Sequence, residues 1–122
     1  MHNSMLAFVE SLYRGEPVNY YKATGGGAPS EAVVVAASDA NEIITILAIR
    51  VAVSGATTIT IESKGESDSV TLFKGECSTS HGIDWVVPDR RTRKGDSIVL
   101  TSSADESISV TASIGRRQDV DS

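Results

Sequence analysis

The chain has 122 residues, one cysteine, two histidines and a formal net charge of −5 at pH 7. At this length we expect a single domain with a small core, because such a chain buries only about two thirds of its unfolded surface. The acidic balance argues against a phosphate-binding surface, so no nucleic-acid partner is expected. A lone cysteine excludes an internal disulfide, and two histidines argue against a zinc site with the usual set of ligands.

The first 30 residues are predicted to form an N-terminal arm, partly helical and partly extended. Apolar residues recur with helical spacing from Met5 to Leu12, which predicts a short amphipathic helix over about residues 4 to 13. An extended connector follows, and its triple glycine, 25–27, supplies a hinge. Four of the six aromatic residues of the chain lie in this arm: Phe8, Tyr13, Tyr20 and Tyr21.

These aromatic residues have two interpretations. The arm either folds back over one sheet of the domain, or buries its rings in a neighbouring subunit or partner protein. The N-terminus has no cationic residue before its apolar stretch, as a secretion signal would, and no apolar run reaches the roughly 18 residues that span a bilayer. We therefore expect no membrane partner and synthesis in the cytoplasm.

From residue 31 onward the chain is predicted to be β. Valine and isoleucine together number 23 against 5 leucines, and serine and threonine number 27, a composition typical of half-buried strands. Alternating apolar residues and short turns without helical crossovers indicate an antiparallel sandwich or barrel. About seven strands are predicted, over residues 31–37, 41–55, 56–63, 68–73, 82–87, 96–102 and 106–114.

Two local features of these strands are predicted as well. The apolar phase changes near Leu47, which indicates a β-bulge or a bend. Ser54 and Gly55 separate two alternating runs, so the strands on either side of them are predicted to pair as a hairpin. Ile59 and Ile61 are expected to face the core.

Cys77, His81 and Asp84 have a spacing that could unite a thiol, an imidazole and a carboxylate, the groups of nucleophilic catalysis. No recognised nucleophile motif surrounds them, and the alternative is a buried cysteine followed by a histidine at a turn. The glycine run is not followed by the residues of a phosphate-binding loop. We predict no catalytic residue, metal site, cofactor or small-molecule substrate, so the protein is not expected to be an enzyme.

A cationic loop lies between Pro88 and Gly95. It is either a solvated loop or a docking loop for an acidic surface on a partner or sister subunit, since arginine matches carboxylates well. Its candidate partner-binding residues are Arg90, Arg91, Arg93 and Lys94.

Between Asn41 and Ile114, the runs "IRVAVSGATTITIESKG" and "GDSIVLTSSADESISVTASI" resemble the small β-sandwich virion proteins of tailed bacteriophages. The resemblance implies a jelly-roll-like sandwich over residues 31–115, preceded by the arm 1–30 and followed by a polar tail, 116–122. It also implies a capsid decoration, or cement, protein on the virion surface. Such a protein binds the major capsid protein or another virion protein, commonly as a homotrimer, and the aromatic arm resembles the capsid-gripping arms of that group.

A second class of function stays open beside this one. A receptor- or carbohydrate-binding module of a phage tail or fibre has the same sandwich architecture. Modules of this kind usually expose several aromatic residues on a sheet face or loop, whereas only Trp85 is available outside the arm in this chain. Binding to a partner protein is therefore the preferred prediction.

Overall fold

The structure is a computed structural model that describes residues 15–85 and 90–119. These residues contain nine strands and no helix that could cross a membrane. The strands are β1 (Glu16–Lys22), β2 (Ala32–Val35), β3 (Glu42–Val53), β4 (Thr57–Lys64), β5 (Ser69–Cys77), β6 (Ile83–Trp85), β7 (Arg90–Arg91), β8 (Ser97–Ser102) and β9 (Ile108–Gln118).

The strands form two sheets that pack face to face. The first has the order β1-β9-β3-β6, with β7 also pairing with β3, and the second has the order β2-β8-β4-β5. All pairs are antiparallel. This confirms the predicted all-β sandwich, and the passage of the chain back and forth between the sheets is jelly-roll-like. As a result β1 and β2 are edge strands at one side of the sandwich, and β5 and β6 are edge strands at the other.

Alternating β-branched residues build the core between the sheets. Along β4, Ile59 and Ile61 are fully buried while Thr60 between them is only partly buried, as predicted. The pairing of β3 with β9 shifts register between Ile46 and Ala48, which confirms the bulge expected near Leu47. The bulge lets residues on both sides of it face the core, because one extra residue restores the inward phase of the strand. The inward residues after it are Ile49, Val51 and Val53.

The predicted hairpin at Ser54 and Gly55 is wrong. Strand β3 lies in the first sheet and β4 in the second, so these residues carry the chain from one sheet to the other. Two hydrogen bonds join this segment to the turn before β9. The Ser54 amide donates to the Ser107 carbonyl at 3.0 Å, and the Ser54 hydroxyl donates to the Glu106 carboxylate at 2.8 Å. Two alternating runs joined by a short link look the same in sequence whether they pair side by side or face each other across a core.

The sandwich begins before the predicted boundary at residue 31. Strand β1 pairs with β9 along its whole length, and its inward residues Val18 and Tyr20 pack against the core. At the other end, β9 runs to Gln118, into the predicted polar tail. The predicted helix over residues 4 to 13 lies outside the described residues.

The glycine segment 25–27, which the sequence predicts as a hinge, binds Asp105 in the structure. All three glycines have positive φ angles, 109°, 85° and 98°, which suit glycine alone. Their conformation points the Gly25 and Gly27 amides at the Asp105 carboxylate, at 3.1 and 3.2 Å, and Lys22 binds the same carboxylate at 2.7 Å. Lys22 and these amides hold the pKa of Asp105 below its usual value. The segment forms the turn that leads from β1 to β2.

Candidate binding site at the open edge of the sandwich

An open cleft of about 520 Å³ lies where the edge strands β5 and β6 face each other. The strands diverge here because the chain leaves the second sheet after Cys77 and enters the first sheet at Ile83. The residues that line the cleft come from both strands and from the turn between them: Phe73, Lys74, Gly75, Glu76, His81, Gly82, Ile83, Asp84 and Trp85.

A tight turn delivers the chain from β5 to β6. The backbone groups of Ser78 and His81 exchange two hydrogen bonds, of 2.7 and 3.2 Å. Gly82 then passes directly against the Val51 carbonyl oxygen of β3, where a side chain would collide with the backbone. Glycine at this position lets β6 approach β3 closely enough to pair, and this pairing places Trp85 opposite Ile49.

Two aromatic rings line the cleft, and one guanidinium group lies over them. The rings of Phe73 and Trp85 meet edge to face, with their centroids 4.7 Å apart and their planes at 61°. The Arg90 guanidinium lies 5.7 Å from each ring centroid, a cation–π arrangement with both rings. Phe73 is buried at 3 % exposure, whereas Trp85 is 44 % exposed. The cleft thus offers a tryptophan surface whose position is fixed by its neighbours.

Three polar residues beside the cleft point away from the rings, because Lys74 and Glu76 alternate with the inward residues of β5 and Asp84 precedes Trp85 on β6. Asp84 pairs with Arg50 across the β6–β3 ladder at 3.2 Å. Lys74, Glu76 and His81 make no side-chain hydrogen bond or ion pair with any residue in 15–85 or 90–119. Lys74 and Glu76 lie on the outer face of the second sheet, beside Thr60 and Thr58.

Cys77, His81 and Asp84 do not form a catalytic arrangement. Cys77 belongs to the buried core at 4 % exposure, whereas His81 and Asp84 are exposed. Burial raises the pKa of the Cys77 thiol, which disfavours the thiolate that a nucleophile or metal ligand requires. No group of three histidine, cysteine, aspartate or glutamate residues in the described part of the chain could hold a metal ion.

Replacing Cys77 by serine is expected to lower the free energy of unfolding by about 1 to 2 kcal/mol, because a hydroxyl group then occupies an apolar site. Replacing His81 by alanine at the exposed turn should change it by less than about 0.5 kcal/mol. Urea denaturation measures both effects. Stoichiometric zinc in the purified protein that disappears in the double variant would contradict this interpretation.

The residues of the predicted cationic docking loop lie in different environments. Arg90 and Arg91 form β7 and pair with Ile46 and Thr45 of β3. The Arg90 side chain covers the aromatic rings of the cleft, and Arg91 is exposed to solvent. Lys94 lies in the turn that precedes β8.

Arg93 is committed to carboxylates of its own chain. Its Nε atom lies 2.6 Å from Asp96 and its Nη2 atom 2.8 Å from Asp68. Asp96 is almost fully buried and also accepts a hydrogen bond from the buried hydroxyl of Ser63 at 2.8 Å. Arg93 holds the pKa of Asp68 below its usual value. These two ion pairs fasten the loop that contains Arg93 to the rest of the sandwich.

The four aromatic residues of the predicted arm do not share one environment. Phe8 and Tyr13 lie outside the described residues. Tyr20 faces the core from β1 and is partly buried, whereas Tyr21 faces outward and is 69 % exposed, more than any other large apolar side chain that the structure describes.

The cleft was not predicted as a site, although its tryptophan was noted. One sequence signal could have indicated the close pairing of β6 with its neighbour. Gly82 stands immediately before "IDW", and a glycine at the start of a strand indicates a close backbone approach. The proximity of Phe73 to Trp85 has no signal in the sequence, because the two residues belong to different sheets. Comparison of the chain with protein-family models, with curated proteins and with solved structures finds no match.

Proposed function

We propose that the protein is a non-enzymatic virion structural protein, a capsid decoration protein that binds the outer capsid surface and stabilises neighbouring capsomers as a homotrimer. Its partner in this proposal is the major capsid protein. The observation that carries the proposal is the apolar character of one edge of the sandwich, the edge formed by β1 and β2.

This edge combines exposed apolar side chains with the point where residues 1–14 join the sandwich. Tyr21 on β1 is 69 % exposed and Val33 on β2 is 56 % exposed. Strand β1 is an edge strand, and residues 1–14, which include Phe8 and Tyr13, precede it in the sequence. Tyrosine and phenylalanine rings give a large contact area at low entropic cost, which suits a protein–protein interface.

The backbone of β1 supports association in a second way. Strand β1 has seven residues and pairs only with β9 among the strands in the described ranges, so its other side can accept a strand from a neighbouring chain. An ion pair lies at each end of β1: Glu16 pairs with Arg116 of β9, and Lys22 pairs with Asp105. A rigid edge loses little entropy on binding, and several modest contacts from one trimer then combine into tight attachment.

In solution the protein is expected to have three times the 12.9 kDa mass of the chain, as measured by sedimentation equilibrium. It should also co-sediment with particles assembled from the major capsid protein encoded in the same genome. Tyr21→Ala combined with deletion of residues 1–14 should weaken attachment by more than about tenfold while the sandwich stays folded.

The matched control is Trp85→Ala, which removes an exposed aromatic residue from the opposite edge and should attach normally. A folded monomer that does not co-sediment with the particles would contradict the proposal. Deletion should stop at residue 14, because a longer deletion removes β1 and confuses loss of attachment with loss of folding.

A further inference from the structure

We propose that the free edge of β1 is a self-association site, at which the β1 strands of two copies of the chain pair antiparallel about a two-fold axis at Asn19. The first sheets of the two copies then form one continuous sheet. This pairing does not depend on the proposed attachment to a capsid, although it uses the same edge. It caps the edge in the unattached protein, so pairing and attachment through β1 exclude each other.

The backbone of β1 directs hydrogen-bonding groups away from the sandwich. The Ser54 amide donates to the Ser107 carbonyl at 3.0 Å, in the register of the β3–β9 ladder. Backbone groups alternate in direction along a strand, so Thr111, four residues further along β9, also bonds to β3. Asn19 is the partner of Thr111 on β1. Its amide and carbonyl therefore face away from β9, toward the free edge.

Pro17 and Tyr21 have the same backbone direction, since each lies two residues from Asn19. A proline is tolerated in an edge strand where its missing N–H would face away from the ladder, and Pro17 occupies such a position. Within residues 15–85 and 90–119, β1 pairs with β9 alone. The free edge thus offers the amides of Asn19 and Tyr21 and the carbonyls of all three residues to a second strand.

The sequence of β1, "EPVNYYK", is self-complementary about its central residue. The antiparallel register centred on Asn19 pairs all seven residues of both strands. It sets Glu16 opposite Lys22 of the second copy at both ends, and opposite charges at opposing positions stabilise a strand pair. Glu16 and Lys22 also have partners in their own chain, so they select the register more than they add affinity.

Side chains on both faces of β1 make contacts in this register. Pro17, Asn19 and Tyr21 are exposed on the outer face, and Tyr21 packs against Pro17 of the second copy. The two Asn19 residues exchange both backbone hydrogen bonds, and each Tyr21 amide donates to the opposing Pro17 carbonyl. On the inner face, Val18 lies opposite Tyr20 of the second copy, which extends the core at this edge.

The other long edge strand lacks this complementarity. Strand β5 has nine residues, and the two-fold register that pairs all of them is centred on Phe73. In that register Lys74 lies opposite Leu72 and Glu76 lies opposite Val70, so each charged side chain meets an apolar one. Pairing of two copies is therefore favoured at β1 over β5.

Sedimentation equilibrium of the full-length protein tests the inference over concentrations from about 1 μM to about 1 mM. The mass at high concentration should be twice the mass of the species at low concentration, whether that species is a monomer or the proposed trimer. A single strand pair is smaller than the interface of a permanent dimer. The dissociation constant should accordingly be on the order of 0.1 mM.

Asn19→Lys tests the two-fold axis, because only this axis brings residue 19 opposite its own copy. Like charges directly opposite each other should weaken the pairing by at least about tenfold. The matched control is Thr111→Lys, at the partner of Asn19 one strand further from the edge and also exposed. It should associate as the unmodified protein does. Amide NMR spectra report whether both variants are folded.

Asn19→Cys gives a covalent readout of the same contact. Opposing residues in a hydrogen-bonded antiparallel pair have Cα atoms about 5.5 Å apart, within the range of about 4.4 to 6.8 Å for a disulfide. Mild oxidation should link two chains through residue 19 on a non-reducing gel. Thr111→Cys should stay unlinked, and the native Cys77 is buried at 4 % exposure and does not compete.

Two results would overturn the inference. The first is a folded protein whose mass does not double over this concentration range, including the case in which another segment of the chain covers the edge. The second is doubling that persists unchanged in a folded Asn19→Lys variant, since the contact then lies elsewhere. A monomer whose mass doubles through residue 19, but which does not attach to capsid particles, would support the inference and contradict the proposed function alone.

Discussion

Replacing Ile61 by alanine is expected to lower the free energy of unfolding by about 3 to 4 kcal/mol. Ile61 is fully buried at the centre of the second sheet, where it lies opposite Leu100 of β8 and Phe73 of β5. Alanine at this position loses the transfer free energy of the side chain and leaves a cavity. The paired strands cannot close this cavity without breaking their ladders.

Urea denaturation measures this effect, and the slope of the transition should stay the same because the exposed surface of the unfolded chain hardly changes. Ile61→Val removes a single methyl group and should cost about 1 kcal/mol. Thr60→Ala, the neighbouring change on the outward side of β4, should cost less than about 1 kcal/mol. Equal losses at positions 60 and 61 would show that β4 does not face the core as described.

Replacing Arg116 by alanine is expected to lower the free energy of unfolding by about 2 kcal/mol at pH 7. Arg116 forms ion pairs with Glu42 of β3 and Glu16 of β1, and it donates a hydrogen bond to the Ala36 carbonyl at 3.0 Å. Glu42 is only 4 % exposed, so the variant leaves its carboxylate buried without a cation. Breaking a buried pair costs about 3 to 5 kcal/mol, and the partial exposure of Arg116 reduces this figure.

The loss should depend on pH. Burial alone would raise the pKa of Glu42, but a hydrogen bond from the Ser38 amide and the charge of Arg116 outweigh it and hold the pKa below its usual value. A lowered pKa stabilises the fold at pH values above the unfolded-state pKa, and this contribution is lost as the pH falls through the folded-state pKa. In the Arg116→Ala variant, burial still raises the pKa of Glu42 and the hydrogen bond from Ser38 still lowers it, but the lowering effect of Arg116 is lost. The difference between variant and unmodified protein should therefore be largest near neutral pH and shrink as the pH falls below about 4.5.

Arg117→Ala is the matched control. Arg117 is the next residue of β9, it is exposed, and it forms no ion pair within the described ranges. Its replacement should change the free energy of unfolding by less than about 0.5 kcal/mol at any pH. If Arg116→Ala and Arg117→Ala lower the free energy of unfolding by the same small amount, the ion pairs of Arg116 do not stabilise the fold.

The two edges of the sandwich present different apolar side chains. The β1–β2 edge presents Tyr21 and Val33, and the β5–β6 edge presents Trp85 packed against Phe73. The predictions at Tyr21 and Trp85 are independent because the two residues lie on opposite edge strands of one sheet.

The sequence by itself determined the all-β class, the inward positions of Ile59 and Ile61 and the bulge near Leu47. These features follow from local alternation, which reports directly which face of a strand is apolar. Strand β1 was missed because its alternation is short, contains a proline and leads into a glycine-rich segment.

Only the tertiary structure decided which strands pair and which side chains meet. Strand β3 pairs with β9 rather than with the adjacent β4, and this choice sends the chain across the core at Ser54. The same crossing pattern brings Phe73 to Trp85, and the fold brings Asp68 to Arg93. An alternating run specifies an apolar face but not the strand that will cover it, because the partner is set by the packing of the whole core.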